Sequence, residues 1–234
     1  MTMTSAAKRI ACEQCLRPKS ACICQWITPT THAVEVVVLQ HPMEQHNAKG
    51  SARLLHLSLP RSLMVTGETF ADDALRALLC DPFECHAPVT PLEKHAILLY
   101  PPDNDALVAA PTLSPDVLRD RSRLRLIVLD GTWRKSRKML HLNPRLQRLP
   151  RLSLHDAPTS RYLIRRAHRA EQRSTLEATC LALAQLEENA QRFAPLLNAF
   201  DGFVAQQLAW QLAWQLARRE AGVDAAAQSN GNTI

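Results

Sequence analysis

The sequence lacks any apolar run long enough to cross a membrane. Its longest uncharged apolar runs, residues 36–39 and 96–100, are far shorter than the roughly 20 residues that a membrane-spanning helix needs. The first nine residues also lack the apolar core of a secretory signal, because Lys8 and Arg9 follow small residues and no apolar stretch comes after them. We therefore expect a cytoplasmic protein whose thiols stay reduced, with no membrane partner.

The sequence also lacks an even number of cysteines, which argues against a disulfide framework. Four of its seven cysteines form the pattern Cys12-x-x-Cys15 and Cys22-x-Cys24. Zinc prefers four tetrahedral sulfur or nitrogen ligands, and two such pairs supply them. We predict a small zinc-binding module over residues 10–28. The alternatives are an iron–sulfur cluster, a redox CxxC pair and free surface thiols.

Strands and helices alternate along the middle of the chain. Runs of β-branched or other apolar residues predict strands at 34–39, 63–66, 96–100 and 124–129. Apolar residues at helical spacing predict helices at 46–59, 71–79 and 133–142. This alternation predicts an α/β fold with a largely parallel sheet flanked by helices.

The C-terminal part is predicted to be helical. Ser174-Thr175-Leu176-Glu177 has the pattern of a capping box before a helix over 178–192. Pro195 suits the first turn of a last helix that ends near Glu220. A repeated Leu-Ala-Trp-Gln at 208–215 gives that helix a broad apolar surface, which we expect to pack in the core, the alternative being a dimer seam. The small and polar residues 221–234 are expected to be disordered, and no obligate protein partner is predicted.

Basic residues are concentrated in one segment. The chain carries a net charge of +6, yet residues 119–173 contain sixteen Lys or Arg against four acids. The segment therefore carries +12 and the rest of the chain −6. Concentrated positive charge favours a nucleic acid bound through its phosphates, in a salt-sensitive way. We predict that the whole segment forms the surface that faces the nucleic acid, around the ligand crevice of the fold. For any single residue, the alternative is charge on a solvated helix face.

Asp130 lies where the predicted strand 124–129 ends. Ligands of open α/β sheets bind beyond the carboxyl ends of the strands, so Asp130 is a candidate functional residue. Gly131 permits a tight turn, and Thr132 suits the cap of a helix that begins at Trp133. The alternative is that Asp130 and Thr132 only cap this helix and that Trp133 is a core aromatic.

The motif Asp130-Gly131-Thr132-Trp133 resembles the signature of the DTW-domain proteins, the tRNA-uridine aminocarboxypropyltransferases. The resemblance extends in order over most of the chain, and the complete set is far more specific than any one piece. It comprises the four early cysteines, His41-Pro42-x-Glu44 with Asn47, Arg53-Leu54-Leu55, Leu99-Tyr100-Pro101 and Ser174-Thr175-x-Glu177-Ala178. The chain departs from the family at residues 48–51, Ala-Lys-Gly-Ser, where members often have Asn-Thr-Gly.

The resemblance implies a SPOUT-like domain over residues 30–220 that binds S-adenosylmethionine, and it raises the possibility of a C-terminal trefoil knot. The implied reaction moves the 3-amino-3-carboxypropyl group of S-adenosylmethionine to N3 of a tRNA uridine and releases methylthioadenosine. Similarity to bacterial members points to the variable-loop uridine at position 47. The alternatives are an RNA methyltransferase that uses the same cosubstrate and a non-catalytic, zinc-containing RNA-binding protein.

The resemblance also assigns expected roles to residues. Asp130 is the candidate base for the N3 proton, directly or through water, or else it holds the methionine ammonium or orients the uracil. The expected cofactor-binding residues are Tyr100, Pro101, Leu129, Gly131, Thr132, Trp133, Ser174, Thr175 and Glu177, although Glu177 is better explained as the capping partner of Ser174. The expected RNA-binding residues are His41, Glu44, Arg53, Arg134, Arg137, Lys138, Tyr162, Arg165, Arg166 and Arg169. For His41 and Glu44, the alternative is a strand-end turn.

Overall fold

The computed structural model describes residues 10–83, 93–101, 111, 114–154 and 173–230, with the backbone alone from residue 220 onward. Its strands are Glu35–Gln40 (β1), Ser62–Thr66 (β2), His95–Leu99 (β3), Leu124–Asp130 (β4) and Arg151–Leu152 (β5). They form one sheet in the order β2-β1-β4-β3-β5, and every neighbouring pair is parallel. The predicted α/β fold with a parallel sheet is confirmed, whereas the trefoil knot stays a prediction.

Helices cover both faces of the sheet. They are Ala52–Ser58 (α1), Asp72–Cys80 (α2), Pro115–Arg119 (α3), Trp133–Leu142 (α4), Pro144–Gln147 (α5), Thr175–Glu187 (α6) and Ala190–Asn230 (α7). Successive side chains of a strand point to opposite faces. Val36 and Val38 of β1 accordingly pack with α1, α6 and α7, whereas Val37 and Leu39 pack with α2, α4 and α5. Because both faces are buried, the central strands are almost continuously apolar.

The strand order reverses between β1 and β4. On one side of this pair lies β2, and on the other lie β3 and β5. Gln40, the last residue of β1, pairs in register with Asp130, the last residue of β4. Open α/β sheets bind ligands in the crevice beyond the carboxyl ends of strands at such a reversal. The fold therefore places Asp130 at the expected position of a ligand site.

The amino edge of the sheet holds a buried ionic cluster. Arg125 of β4 is fully buried, and its Nε and Nη2 donate to Oε2 of Glu35 at 3.0 and 2.6 Å. Lys94 and Arg61 pair with Oε1 of Glu35 at 2.9 and 3.1 Å. Burial alone would raise the pKa of Glu35, but the hydrogen bonds from Lys94 and Arg125 outweigh it and lower that pKa.

This cluster corrects the prediction that the whole +12 segment forms one RNA-facing surface around the crevice. Arg125 belongs to the core, because all of its side chain is buried against Glu35 and beneath the ring of Phe83, 4.4 Å from the ring centroid. Residues 119–123 precede β4 and lie at its amino end, opposite Asp130. Within the described part of the segment, the basic residues next to the crevice are those at the start of α4, whereas Arg145 and Arg148 line a cavity with Lys94 and His95 at the amino edge.

Two helices begin at positions other than those predicted. The helix predicted over 46–59 begins only at Ala52, because a short 3-10 turn over Pro42–Glu44 and a loop occupy the residues before it. The last helix begins at Ala190, where the side chain of Asn189 accepts the N–H of Arg192 at 3.1 Å. Pro195 therefore lies inside α7 rather than in its first turn.

The second half of α7 extends beyond the body of the protein. Its 41 residues span about 60 Å, roughly twice the diameter of a small domain. Leu208 packs against the core as predicted, but Leu212, Trp214 and Leu216 are exposed, so the prediction is wrong for the second half of this apolar surface. The helix also continues to Asn230, where disorder was expected, through alanine residues that favour helix. No helix in the described residues is both long and apolar enough to cross a membrane.

Candidate active site

Asp130 is held in a fixed orientation at the carboxyl edge of the sheet, where it is only 6% exposed. The side-chain amide of Gln40 donates to Oδ2 of Asp130 at 2.9 Å, and the hydroxyl of Thr175 donates to Oδ1 at 2.6 Å. The carboxylate is thus tied both to β1 and to the first turn of α6.

Gly131 and Thr132 build the turn from β4 into α4. A Cβ on Gly131 would lie 3.1 Å from the Cβ of Lys135, so glycine permits the close approach of strand and helix. Thr132 caps α4, and its hydroxyl accepts the N–H of Lys135 at 3.4 Å. The cap that the sequence predicts is confirmed for Thr132. The side chain of Asp130, by contrast, bonds to Gln40 and Thr175 in the crevice.

Trp133 lies at the surface beside Tyr100. Its side chain is 46% exposed, and its ring meets the Tyr100 ring edge to face, with 5.7 Å between centroids and 71° between planes. Arg151 supports this pair, since its guanidinium carbon lies 5.4 Å from the Tyr100 centroid and its Nη1 donates to the carbonyl of Pro101 at 3.1 Å. Trp133 is therefore not a core residue. Leu129 is partly buried in the same apolar cluster as Tyr100, next to α2, α4 and α5, and its predicted contact with the cofactor stays a prediction.

The first turn of α6 contains a reciprocal capping box. The hydroxyl of Ser174 accepts the N–H of Glu177 at 3.1 Å, and Oε2 of Glu177 accepts the N–H of Ser174 at 3.0 Å. Both residues are buried, at 5% exposure each. The predicted capping role of Glu177 is confirmed. Thr175 is the residue of this turn whose side chain contacts Asp130.

His41 and Glu44 are buried at the end of β1. His41 is 5% exposed; its Nδ1 accepts the N–H of Met43 at 3.1 Å, so Nε2 carries the proton that it shares with Glu68 at 2.8 Å. Glu44 is 4% exposed and accepts from Nζ of Lys135 at 2.9 Å. These two side chains tie the loop after β1 to Glu68 and to Lys135 of α4. The structure therefore favours the strand-end role, because both side chains are tied to neighbouring protein groups, while an RNA contact stays a prediction.

The predicted basic residues of α4 are exposed next to the crevice. Lys138 pairs with Oε2 of Glu68 at 2.9 Å. The hydrogen bonds from Lys138 and His41 lower the pKa of Glu68. Arg134 and Arg137 pair with no acidic side chain among the described residues, and Arg53 is half-buried in α1. The remaining predicted RNA-binding residues, Tyr162, Arg165, Arg166 and Arg169, lie outside the described residues.

The four N-terminal cysteines converge on one point. All four sulfurs lie within 4.8 Å of one another, with Cys12 and Cys24 3.6 Å apart and Cys15 and Cys22 3.8 Å apart. A tetrahedral ion with sulfur bonds of about 2.3 Å places its sulfurs roughly 3.8 Å apart. Backbone N–H groups of Cys15 and Gln14 lower the pKa of Cys12 to about 6, whereas burial and the neighbouring thiols raise the pKa of Cys24. The donor set therefore fits a single tetrahedral metal ion.

The geometry agrees with the comparison to known families. The model of the family described as DTW domain matches residues 9–208, which is most of the chain. The chain belongs to the DTW domain family. No solved structure matches it.

Named relatives of this DTW-domain chain are tRNA-modifying enzymes. It is 25% identical over 209 residues to tRNA-uridine aminocarboxypropyltransferase 2 of Macaca fascicularis, and 27% identical over 191 residues to that of Mus musculus. These matches cover 87% and 79% of this chain but 65% and 59% of the relatives. The match to the Drosophila melanogaster protein of the same name is 28% identical over 192 residues, 79% of this chain and 69% of the relative.

Three residues of this DTW-domain site were missed from the sequence: Gln40, Glu68 and Lys135. Gln40 ends a buried apolar strand, which is the same signal that singled out Asp130. Glu68 follows β2 at the same edge of the sheet. Lys135 was counted among the basic residues of α4, but its pairing with Glu44 depends on the strand order. A search for polar residues at every strand end would have found the first two.

Proposed function

We propose that this chain transfers the 3-amino-3-carboxypropyl group of S-adenosylmethionine to N3 of a tRNA uridine. The observation that carries the proposal is the buried carboxylate of Asp130, held between Gln40 and Thr175 in the crevice of a DTW domain. Relatives of similar sequence are named for this aminocarboxypropyl transfer to tRNA uridine. The variable-loop uridine at position 47 and a cytoplasmic location belong to the same proposal.

The described residues fit S-adenosylmethionine. The Asp130 carboxylate offers negative charge to the ammonium or sulfonium. The exposed indole of Trp133 offers a flat face to adenine or uracil. The N-terminus of α6, a helix of 13 residues, offers the positive end of a helix dipole to the methionine carboxylate.

Asp130 acts on the nucleophile. N3 of uridine is a weak nucleophile while it holds its proton, so Asp130 accepts that proton, directly or through water. S-adenosylmethionine supplies a sulfonium that activates its attached carbons, and the crevice determines which carbon faces N3. N3 forms a bond to the methylene carbon of the amino acid chain as the carbon–sulfur bond breaks. The electron pair of that bond remains on sulfur, and methylthioadenosine leaves.

The tRNA would approach over the first turns of α4. Arg134 and Arg137 are exposed there and follow directly after Trp133, so they are placed to bind phosphates near the target base. N3 lies on the Watson–Crick edge of uracil. The target uridine must therefore be unpaired or flipped out of its stack before Trp133 can stack on it.

We further propose that the four cysteines hold one structural zinc ion. Four protein ligands close a tetrahedral site and leave no position for substrate. Cys15 is 1% exposed and packs in the same core as α6 and α7, so the metal would fix the N-terminal module to the domain. Elemental analysis of the purified protein should find one zinc per chain. Stoichiometric iron with inorganic sulfide would contradict this proposal.

The transfer reaction is tested by its coproduct. Purified protein is incubated with tRNA and S-adenosylmethionine, and both nucleosides and small molecules are identified by mass spectrometry. Methylthioadenosine with aminocarboxypropyl uridine is the expected result. S-adenosylhomocysteine would identify a methyltransferase instead. Binding of tRNA without any product would favour a non-catalytic RNA-binding protein.

A further inference from the structure

Arg17 joins the cysteine cluster to the loop before α1. Its Nη1 donates to the carbonyl of Ala48 at 2.7 Å, and its Nη2 donates to the carbonyl of Gly50 at 2.8 Å. Its guanidinium carbon also lies 5.4 Å from the ring centroid of Phe203 in α7. A planar guanidinium presents several N–H donors in a fixed fork, so it holds two carbonyls and an aromatic face in one defined geometry, whereas a lysine ammonium carries its donors on a single nitrogen.

The backbone that carries Arg17 is fixed by the cysteines. The N–H of Cys12 donates to the carbonyl of Arg17 at 2.7 Å, and the N–H of Leu16 donates to the carbonyl of Cys12 at 2.9 Å. Leu16 adopts the left-handed conformation, with φ of 58°, which closes this tight turn. A metal ion held by Cys12 and Cys15 would therefore also hold the segment from which the Arg17 side chain extends.

The other end of the link reaches Asp130. Ser51, which follows Gly50, is 4% exposed, and its hydroxyl accepts the N–H of Leu176 in the first turn of α6 at 3.2 Å. The residue before Leu176 is Thr175, whose hydroxyl donates to Asp130 at 2.6 Å. Each step from the cysteine turn to the carboxylate is thus a hydrogen bond or a direct chain neighbour.

We propose that Arg17 is a positioning residue that transmits the order of the cysteine cluster through the loop 48–51 to Thr175 and Asp130. Its effect on catalysis rests on the proposed function. Without the guanidinium, the loop loses two hydrogen bonds, and the support that Ser51 gives to the first turn of α6 loosens. A misplacement of reacting groups by about 1 Å can cost up to about a hundredfold in rate.

The test compares Arg17→Met with Lys19→Met. Both variants remove one positive charge from the same module, but the exposed side chain of Lys19 makes no contact with the loop among the described residues. Metal content, amide hydrogen exchange and steady-state kinetics are measured on the full chain. Hydrogen exchange reports local opening whether or not the chain has the proposed activity.

Arg17→Met should keep its bound metal and exchange faster at residues 48–52 and 174–177, with no change across 124–129. Its kcat should fall about tenfold while KM for tRNA changes less than twofold, because the loss is in alignment and not in RNA contact. Lys19→Met should match the wild type. Unchanged exchange at 174–177, or unchanged kcat despite faster exchange, overturns the proposal.

Arg17→Lys decides the matter if Arg17→Met loses its metal or fails to fold. The lysine keeps the charge but lacks the fixed fork of donors that reaches the carbonyls of Ala48 and Gly50, so the same exchange pattern should appear in weaker form, with kcat about threefold lower. Equality with wild type in both measurements overturns the proposal.

Removal of the metal gives an independent check. Chelation should speed exchange at 174–177 in the wild type but add little in Arg17→Met, because both changes break the same link. If chelation and Arg17→Met had fully additive effects on exchange at 174–177, the proposed link through Arg17 would be contradicted. A wild type without transferase activity would count against the proposed function alone, since exchange measures the link by itself.

Discussion

Gln40 and Asp130 end neighbouring parallel strands as register partners, and the side-chain amide of Gln40 donates to the carboxylate of Asp130 at 2.9 Å. This bond and the one from Thr175 fix the direction in which the carboxylate accepts a further proton. The reactive geometry of the site therefore depends on the alignment of β1 with β4, and not on Asp130 alone.

Replacement of Gln40 should impair catalysis without unfolding the protein. Gln40→Met keeps the size of the side chain but removes the donor, so buried Oδ2 of Asp130 loses one partner, which typically costs about 1–3 kcal/mol. We expect kcat to fall at least tenfold. Gln45→Met is the matched control, because Gln45 is exposed in the nearby loop. Equal kcat values for wild type and Gln40→Met would show that this bond does not orient the carboxylate.

Trp133 should contribute to binding of a planar group and little to stability. Stacking of a base on an aromatic side chain is worth about 1–3 kcal/mol, so Trp133→Ala should weaken binding of tRNA or S-adenosylmethionine about five- to hundredfold. Because Trp133 is 46% exposed, the thermal unfolding midpoint of the Trp133→Ala protein should barely differ from that of the wild type. Trp133→Phe should recover part of the loss, and Trp214→Ala, on the free part of α7, should bind as the wild type does. If Trp133→Ala bound tRNA and S-adenosylmethionine as tightly as the wild type, Trp133 would have no stacking role.

Arg134 and Arg137 should account for part of the salt dependence of tRNA binding. Each lost phosphate contact reduces the slope of log affinity against log salt by about one. The double variant Arg134→Ala with Arg137→Ala should therefore bind more weakly at low salt, with a slope smaller by about two. Arg119 and Arg121 pair with acidic residues at the amino edge, and their double alanine variant is the control. Equal slopes for the two double variants would assign Arg134 and Arg137 to the solvated surface.

The ionic cluster at the amino edge should make stability depend on pH. Hydrogen bonds from Lys94 and Arg125 lower the pKa of Glu35 in the folded state. Its stabilising effect is therefore complete above the unfolded pKa of about 4.3 and is lost as pH falls through the lower folded pKa. Arg125→Met should reduce the free energy of unfolding at pH 7 by about 3 kcal/mol or more, because it leaves a buried carboxylate with fewer partners.

Urea unfolding at several pH values tests this account of the cluster. The difference in stability between wild type and Arg125→Met should shrink as pH falls through the lowered pKa of Glu35, because the carboxylate loses its charge there. A difference that stays constant from neutral to acid pH would mean that the destabilisation comes from lost packing of Arg125 and not from its charge.

Short-range patterns in the sequence were sufficient to find several parts of the site. The spacing of Cys12, Cys15, Cys22 and Cys24 is a local signal, and the sulfurs meet as predicted. The capping box of Ser174 and Glu177 is equally local, since both partners lie within one helical turn. Asp130 was found because a polar residue that ends an apolar strand stands out in a single sequence.

The parts that were missed depend on contacts between distant segments. Gln40 is 90 residues from Asp130 in sequence, and only the strand order brings them together. The burial of His41 follows from its contact with Glu68, beyond the neighbouring strand. The repeat in α7 was misinterpreted because an apolar helix face has the same pattern whether it is covered or, like Trp214, exposed.

The requirement for Asp130 in uridine modification is the central claim, and tRNA from cells measures it most directly. A strain that lacks the gene is supplied with wild type, Asp130→Asn or Asp120→Asn, and digested tRNA is examined by mass spectrometry. Asp120 is an exposed aspartate at the amino edge that caps a short 3-10 turn, which makes it a suitable control. We expect wild type and Asp120→Asn to restore aminocarboxypropyl uridine and Asp130→Asn to leave it absent. Full restoration by Asp130→Asn, or tRNA that is identical with and without the gene, would contradict the account.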